Sequence, residues 1–251
     1  MGIKSFFKDI EYKYTLKTGK ETKQLILVTG ADQSHSKSLL QFVASVARYE
    51  PKSLLIVYNL GFSIEIRQQY EKIHSNIEIR DFDFSKYPSF VNIRVDAGSY
   101  AWKPIIINDV MNKYNLPLCW MDAGNIIIEP LRGIRVLLNE RGFYSPSSSG
   151  CIHDWTHPKT LEYFKVKKSL LRKKNLCGGC VAINPEFDNV RAMINRWREC
   201  ALIKECIAPE GSSRSNHRQD QAVLSVLANQ MGIMKKSYGR YIGFCVHQDI
   251  D

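Results

Sequence analysis

No stretch of the chain is apolar for long enough to span a bilayer, and the opening segment MGIKSFFKDIEYKYTLKTGKETK lacks the hydrophobic core of a secretory signal. A myristoylation start is excluded as well, because Phe6 stands where the motif needs Ser or Thr. These absences lead to the expectation of a cytoplasmic protein, peripheral to a membrane at most. Low-complexity tracts and internal repeats are missing too. The nearest thing to a linker, APEGSSRSN at 208–216, reads as a loop within a domain. The expected organisation is therefore one domain over residues 1–251, with a basic N-terminal extension at 1–23. Glycine-rich phosphate motifs are also lacking. TGADQSHS at 29–36 follows a strand-like run, yet it holds neither the GxGxxG spacing nor the P-loop lysine. A Walker ATPase and a dinucleotide-binding Rossmann enzyme are thereby disfavoured.

Positive charge, by contrast, is abundant. The net charge of +10 suits nucleic acid, an anionic membrane surface or a phosphorylated small ligand. Nucleic acid is not expected, since no helix-turn-helix, zinc-finger or RNP pattern can be read. The cluster KVKKSLLRKK at 165–174 has the ordinary reading of a solvated face. Seven cysteines, an odd number, sit mostly in apolar or helical patterns, which points to reduced thiols rather than a disulfide framework. CGGC at 177–180 has the spacing of a zinc or redox pair, but Cys200 and Cys206 are wrongly spaced to complete it. Small buried residues at a strand start are the simpler reading.

Hydrophobic periodicity supplies the architecture. QLILVTG (24–30), SLLIVYN (53–59), IEIRDFD (77–83) and PLCWM (117–121) read as strands. Helices are expected between them: one after Ser36 as N-cap, one over 64–74, and one over 100–114 with Pro104 in its first turn. Alternation of strand and helix predicts an α/β fold with a mostly parallel central sheet flanked by helices. Later, GFYSP (142–146) and CVAINP (180–185) read as strands, a helix starts at Asp188, and another carries Ala222 to Leu227. A short strand is expected near 233–238.

One carboxylate, Asp122, stands between the apolar runs LPLCWM and NIII. Ligands gather at the carboxyl ends of parallel strands, so Asp122 is either a plain turn residue or the centre of a site. Four segments decide how that choice is read: LILVTGADQSHSKSLL, YAWKPIII, the strand ending in MDAG, and the pair GGCVAINP with NHRQDQAVLSVL. Their order and spacing resemble the GT-A glycosyltransferases that use nucleotide sugars, above all the family 8-like members. The likeness spans roughly residues 25–247, nearly the whole chain.

That resemblance implies a set of roles. Thr29, Ala31 and Asp32 would hold base and ribose, and Lys103 would lie against the donor diphosphate as a mobile point charge. Asp122 would be half of the Asp-x-Asp motif that binds Mn²⁺ or Mg²⁺, with Gly124 in place of the second carboxylate. His247, in CVHQD, matches the C-terminal histidine that completes the metal site, and Asp249 could substitute for it. Gly179 would allow close approach of donor or acceptor, and Asn184 would end its strand. Asp220 would hydrogen-bond sugar hydroxyls while Gln221 faces the anomeric carbon. Each residue also has a bland reading: Asp32 as a turn residue, Lys103 as a solvated helical lysine, Asp220 as a first-turn carboxylate favoured by the helix dipole, His247 as an exposed tail residue.

The function implied is transfer of a sugar from a nucleoside diphosphate to a hydroxyl of a glycan or lipid-linked acceptor. For an inverting reaction the candidate bases are Asp154, Asp220 and His217; the family 8 likeness leans toward retention, with Asp220 or Gln221 beside the anomeric carbon. A metal would neutralise charge on the leaving diphosphate. Two alternatives stay open: a non-catalytic nucleotide-sugar-binding protein of the same fold, and a nucleic-acid-binding protein.

Overall fold

The computed structural model describes residues 12, 14–234 and 242–251. Its central sheet has six strands, β1 (Ile26–Ala31), β2 (Leu55–Asn59), β3 (Ile77–Asp81), β4 (Leu118–Met121), β6 (Phe143–Tyr144) and β9 (Cys180–Ile183), in the order β3-β2-β1-β4-β9-β6. The pairs among β1 to β4 are parallel, whereas β9 runs antiparallel to both of its neighbours. Every strand near the middle alternates between two cores. Ile26, Val28, Ile56, Trp120, Val181 and Ile183 face one layer; Leu27, Leu55, Val57, Cys119, Met121 and Ala182 face the other. Both faces are thus dry, as a mostly parallel sheet requires.

The helices divide accordingly. On the first face lie α3 (Trp102–Tyr114), α7 (Asp188–Ala201) and α9 (Gln219–Gln230), which contribute Ile105, Ile106, Met193, Trp197 and Val223. Helices α1 (Ser36–Tyr49), α2 (Ile64–Ile73) and α4 (Arg132–Arg141) cover the second face through Leu39, Phe42, Tyr70 and Leu137. Each such side chain, fully buried, contributes about 1.5–3 kcal/mol of transfer free energy. Short elements complete the chain: β5 (Ile126–Ile127), β7 (Ser147–Cys151), α5 (Ile152–Trp155), α6 (Pro158–Tyr163), β8 (Lys174–Leu176), α8 (Lys204–Ile207) and β10 (Phe244–Cys245). β7 pairs with β8, and β10 pairs with β5.

Several sequence expectations shift. The strand expected near 233–238 falls mostly outside the described residues, and residues 233 and 234 belong to no strand. The helix expected from residue 100 begins at Trp102, because Asp96 to Tyr100 turn with positive φ of 48–63°. Ser36 is the first residue of α1 rather than its cap. The capping role passes to Asp251, whose carboxylate accepts from the N–H groups of Lys37 (2.8 Å) and Ser38 (2.9 Å). A carboxylate at this place satisfies orphan donors and suits the positive end of the helix dipole. The expectation of uniformly reduced thiols also fails, since Cys200 and Cys206 form a disulfide across the turn between α7 and α8. Cys180 does sit buried at the start of β9. None of the described helices is long and apolar enough to cross a membrane.

Candidate active site

Three strand ends meet at one edge of the sheet. β1 and β4 finish there, and antiparallel β9 starts there, with Met121 opposite Cys180. The Asp122 N–H bonds the Gly179 carbonyl at 3.0 Å, continuing the ladder by one step. Asn125 donates its side-chain amide to the same carbonyl at 2.7 Å. The CGG bend before β9 is therefore the far wall of the Asp122 turn. A cleft of about 840 Å³ opens over this edge.

Strand periodicity aims Asp122. Trp120 and Asp122 lie two residues apart on one face, and the Trp120 indole N–H donates to Asp122 Oδ1 at 2.7 Å. On that face α3 delivers Lys103, whose Nζ lies 2.9 Å from Asp122 Oδ1 and donates to the Gly178 carbonyl at 3.2 Å. From α9 comes Asp220, with Oδ2 3.2 Å from the same ammonium in ion-pair geometry but without an aligned hydrogen bond. Lys103 is 3% exposed and Asp220 5%. Burial alone would pull the Lys103 ammonium down, but the carboxylates of Asp122 and Asp220 outweigh it and hold its pKa above the ordinary lysine value. Burial likewise pushes the Asp220 carboxyl up, with Lys103 opposing. Lys103 is consequently a buried, fixed charge between two carboxylates and not a mobile one.

The segment that delivers Lys103 is strained. Asp96, Ala97, Ser99 and Tyr100 occupy the left-handed region, which costs roughly 1–2 kcal/mol for each non-glycine residue. The Trp102 indole N–H closes this turn on the Ala97 carbonyl at 3.1 Å. Tyr100 and Trp120 each present a ring 5.7 Å from Lys103 Nζ.

The other candidates fall as follows. Ala31, Asp32, Gly179, Gln221 and His247 line the same cleft as Lys103, Asp122 and Asp220. Thr29 does not; it is fully buried in β1 and its hydroxyl has no partner among the described residues. Asp32 closes a turn, accepting from the Ser34 N–H (3.1 Å) and lying 2.9 Å from His35 Nδ1. Burial pushes its carboxyl up, but the bonds to His35 and Ser34 prevail and its pKa is lowered. Gln221 turns its Oε1 to the Gly178 N–H at 3.4 Å and leaves Nε2 buried with no partner among the described residues. Two candidate bases are spent elsewhere. His217 donates from Nε2 to the Ile207 carbonyl (2.8 Å) and accepts at Nδ1 from the His157 N–H (3.1 Å), and burial pulls its pKa down to about 4. Asp154 caps the Cys151 N–H at 2.8 Å.

Sequence reasoning passed over four residues of the site. Trp120 had a usable signal, its two-residue offset from Asp122. Asn125 had none. Arg218 lies 3.9 Å above the Trp155 ring and donates to Ser148 at 3.1 Å, and Arg214 lies 5.5 Å above Tyr100. Neither arginine has a carboxylate partner among the described residues.

The fit to a divalent cation can be tested on the turn itself. Asp122 keeps Oδ2 free of these bonds, and its side chain is 44% exposed. Gly124 has the Asp249 carboxylate directly over it: a Cβ built there would lie 2.5 Å from the Asp249 carboxyl carbon, with both oxygens closer still. Hard oxygen donors of this kind suit Mn²⁺ or Mg²⁺. No group of three or more such ligands gathers among the described residues, so the protein alone offers an incomplete shell.

Comparison with solved structures places this architecture. The galactosyltransferase LgtC, solved with donor and acceptor sugar analogs, matches with a TM-score of 0.53 at 17% identity, over 80% of this chain and 69% of that one. The fold is that of the GT-A glycosyltransferases. Mouse xyloside xylosyltransferase 1 matches this GT-A chain with a TM-score of 0.54 at 9% identity, over 84% and 83% of the two chains. Core-mannan synthase A from Aspergillus fumigatus, in a Mn/GDP form, gives 0.51 at 8% identity, over 82% and 69%. Residues 8–108 match a family profile described as a protein of unknown function (DUF1647). Among curated proteins, none matches the chain.

Proposed function

We propose that the chain is a glycosyltransferase that takes a sugar from a nucleoside diphosphate donor and transfers it to a hydroxyl of a glycan or lipid-linked acceptor. The observation that carries this reading is the Asp122–Lys103–Asp220 row on the floor of the cleft, buried at Lys103 and Asp220, at the sheet edge where this fold collects ligands. The neighbours are glycosyltransferases, one solved with donor and acceptor sugar analogs and another in a Mn/GDP form, which supports a nucleotide-sugar donor and Mn²⁺.

Ala31 and Asp32, at the end of β1, would take the nucleoside, the carboxylate accepting from ribose hydroxyls or a base N–H. Gly178 and Gly179 leave the far wall low; a Cβ at Gly179 would lie 3.1 Å from Asp122 Oδ2, in the space that the donor phosphates need. In the reaction the bond from C1 to the diphosphate oxygen breaks, and its electron pair leaves with the phosphate. The acceptor oxygen bonds to C1 and loses its proton. A divalent cation, when bound at Asp122, supplies positive charge to the phosphate oxygens. Gln221 Nε2 is the donor best suited to a sugar oxygen, since nothing among the described residues satisfies it. Asp220 orients Lys103 from a dry position; its ion pair makes it a poor nucleophile and a good positioning group. Arg218, which donates to Ser148 of β7, and Arg214, which lies over the Tyr100 ring, line the same cleft and favour an acceptor that carries negative charge.

One observation favours a second reading. Glycine at 124 in place of a carboxylate fits a binding protein that has abandoned metal chemistry. Calorimetry with UDP and GDP, in EDTA and in Mn²⁺, together with a hydrolysis screen over UDP- and GDP-sugars, separates the two. The expected result is Mn²⁺-assisted binding, slow hydrolysis of one donor, and loss of hydrolysis in Asp122→Ala at a stability cost of about 1–2 kcal/mol. Binding without hydrolysis of any donor would favour the second reading. Failure to bind either nucleotide would remove both.

A further inference from the structure

The C-terminal segment is clamped across the cleft at both ends. β10 pairs with β5 directly after the Asp122 turn, placing Phe244 opposite Ile127. Gln248 donates its N–H to the Gly124 carbonyl at 2.7 Å, and its own carbonyl accepts from Gln41 Nε2 at 2.9 Å. Ile250 N–H bonds Ser38 Oγ at 3.0 Å, and Asp251 caps α1. Between these anchors Asp249 is fixed over Gly124. Its carboxyl carbon lies 2.5 Å from the point where a Cβ of residue 124 would be. An aspartate's own carboxylate oxygens lie about 2.4 Å from its Cβ, given ordinary C–C and C–O bond lengths. The tail therefore holds a carboxylate against the Asp122 turn, its oxygens as far from that point as an aspartate's own would be. Any side chain at 124 would collide with it. Asp249 is exposed, accepts no hydrogen bond and makes no ion pair among the described residues, so its oxygens are open to a ligand.

We propose that Asp249 supplies the second carboxylate of a divalent-cation site whose first is Asp122. The pair spaced i and i+2 in the motif is divided here between the strand β4 turn and the tail, and Gly124 is the residue that makes room. Two carboxylates leave most of the shell open, and phosphate oxygens and water complete it. The identity of those phosphates rests on the glycosyltransferase reading; the carboxylate pair does not. Binding of the metal in this arrangement requires the tail to be docked.

The test is a carboxylate exchange, read by electron paramagnetic resonance of Mn²⁺ titrated into the whole chain, first alone and then with UDP or GDP. Asp249→Asn should weaken Mn²⁺ binding by at least about tenfold, because a neutral amide is a poor ligand for a hard cation. Gly124→Asp with Asp249→Gly should restore it to within about threefold, since the carboxylate returns to the strand turn. Gly124→Asp alone should loosen the tail, seen as a lower melting temperature. Unchanged Mn²⁺ affinity in Asp249→Asn would overturn the proposal. So would a weakened Asp249→Asn with no recovery in a folded exchange variant, which would make Asp249 a clamp and not a ligand. If the exchange variant does not fold, Asp249→Asn alone decides. Nucleotide binding in EDTA reports separately on the donor reading, and its absence would leave the Mn²⁺ result standing.

Discussion

Replacing Lys103 by Met keeps most of the side-chain volume and removes the cation that lies between Asp122 and Asp220. The cost falls unequally on the two carboxylates. Asp122 is 44% exposed at the side chain, so water screens what it loses. Asp220 is 5% exposed and stands 3.2 Å from Nζ, so its charge is left uncompensated in a dry place. Breaking one partner of a buried pair costs about 3–5 kcal/mol. Asp220 can escape part of that cost by taking up a proton. Burial already holds its carboxyl above the ordinary aspartate value, and losing Lys103 raises it further. A carboxyl whose folded pKa is raised carries no penalty below its unfolded pKa, acquires one as pH climbs toward the folded pKa, and bears all of it above. Urea unfolding of Lys103→Met should therefore show a loss of about 3–5 kcal/mol near pH 8 that shrinks markedly near pH 5. Wild type should recover less on acidification, because Lys103 opposes the rise of the Asp220 carboxyl. A loss below about 1 kcal/mol near pH 8, the range of an exposed pair, would refute the buried-row argument. So would equal losses at both pH values.

Two further outcomes are expected. His217 is buried as the neutral ring, with its pKa pulled from 6.5 to about 4, so its contribution to stability is complete above pH 6.5 and drains away as pH falls toward 4. At 1.36 kcal/mol per pH unit this amounts to roughly 3 kcal/mol, and His217→Gln should flatten that acid limb of a pH–stability curve; an unchanged slope would place the acid sensitivity elsewhere. Mass spectrometry after alkylation of denatured protein from an oxidising compartment should show five blocked thiols without reductant and seven with it, because Cys200 and Cys206 are joined. Seven without reductant would contradict the bond.

The parallel sheet was legible because its signal is local. Leu27, Val28, Ile56, Val57, Trp120 and Met121 need only alternate in apolar runs to declare strands buried on both faces, and the intervening helical periodicities set the α/β order. Asp122 was legible for the same reason, as a charge at the end of such a run. The row it joins was not. Lys103, Asp122 and Asp220 are separated by long stretches of chain, and no local pattern states that one ammonium will lie 2.9 and 3.2 Å from two carboxylates. Likeness to a family named these residues singly, without showing that Lys103 is fixed or that His217 has both nitrogens occupied. Ser36 shows the limit clearly: its type and place suit a cap, yet the carboxylate of Asp251 arrives from the other end of the chain and takes the role. Gly124 is the sharpest case. In the sequence it is a carboxylate missing from a motif; in the fold it is the space that Asp249 fills. Sequence patterns report which surface a residue turns to the core, a property of its immediate neighbours. Which charges share a cleft depends on packing between distant segments, and that is fixed only when the layers close.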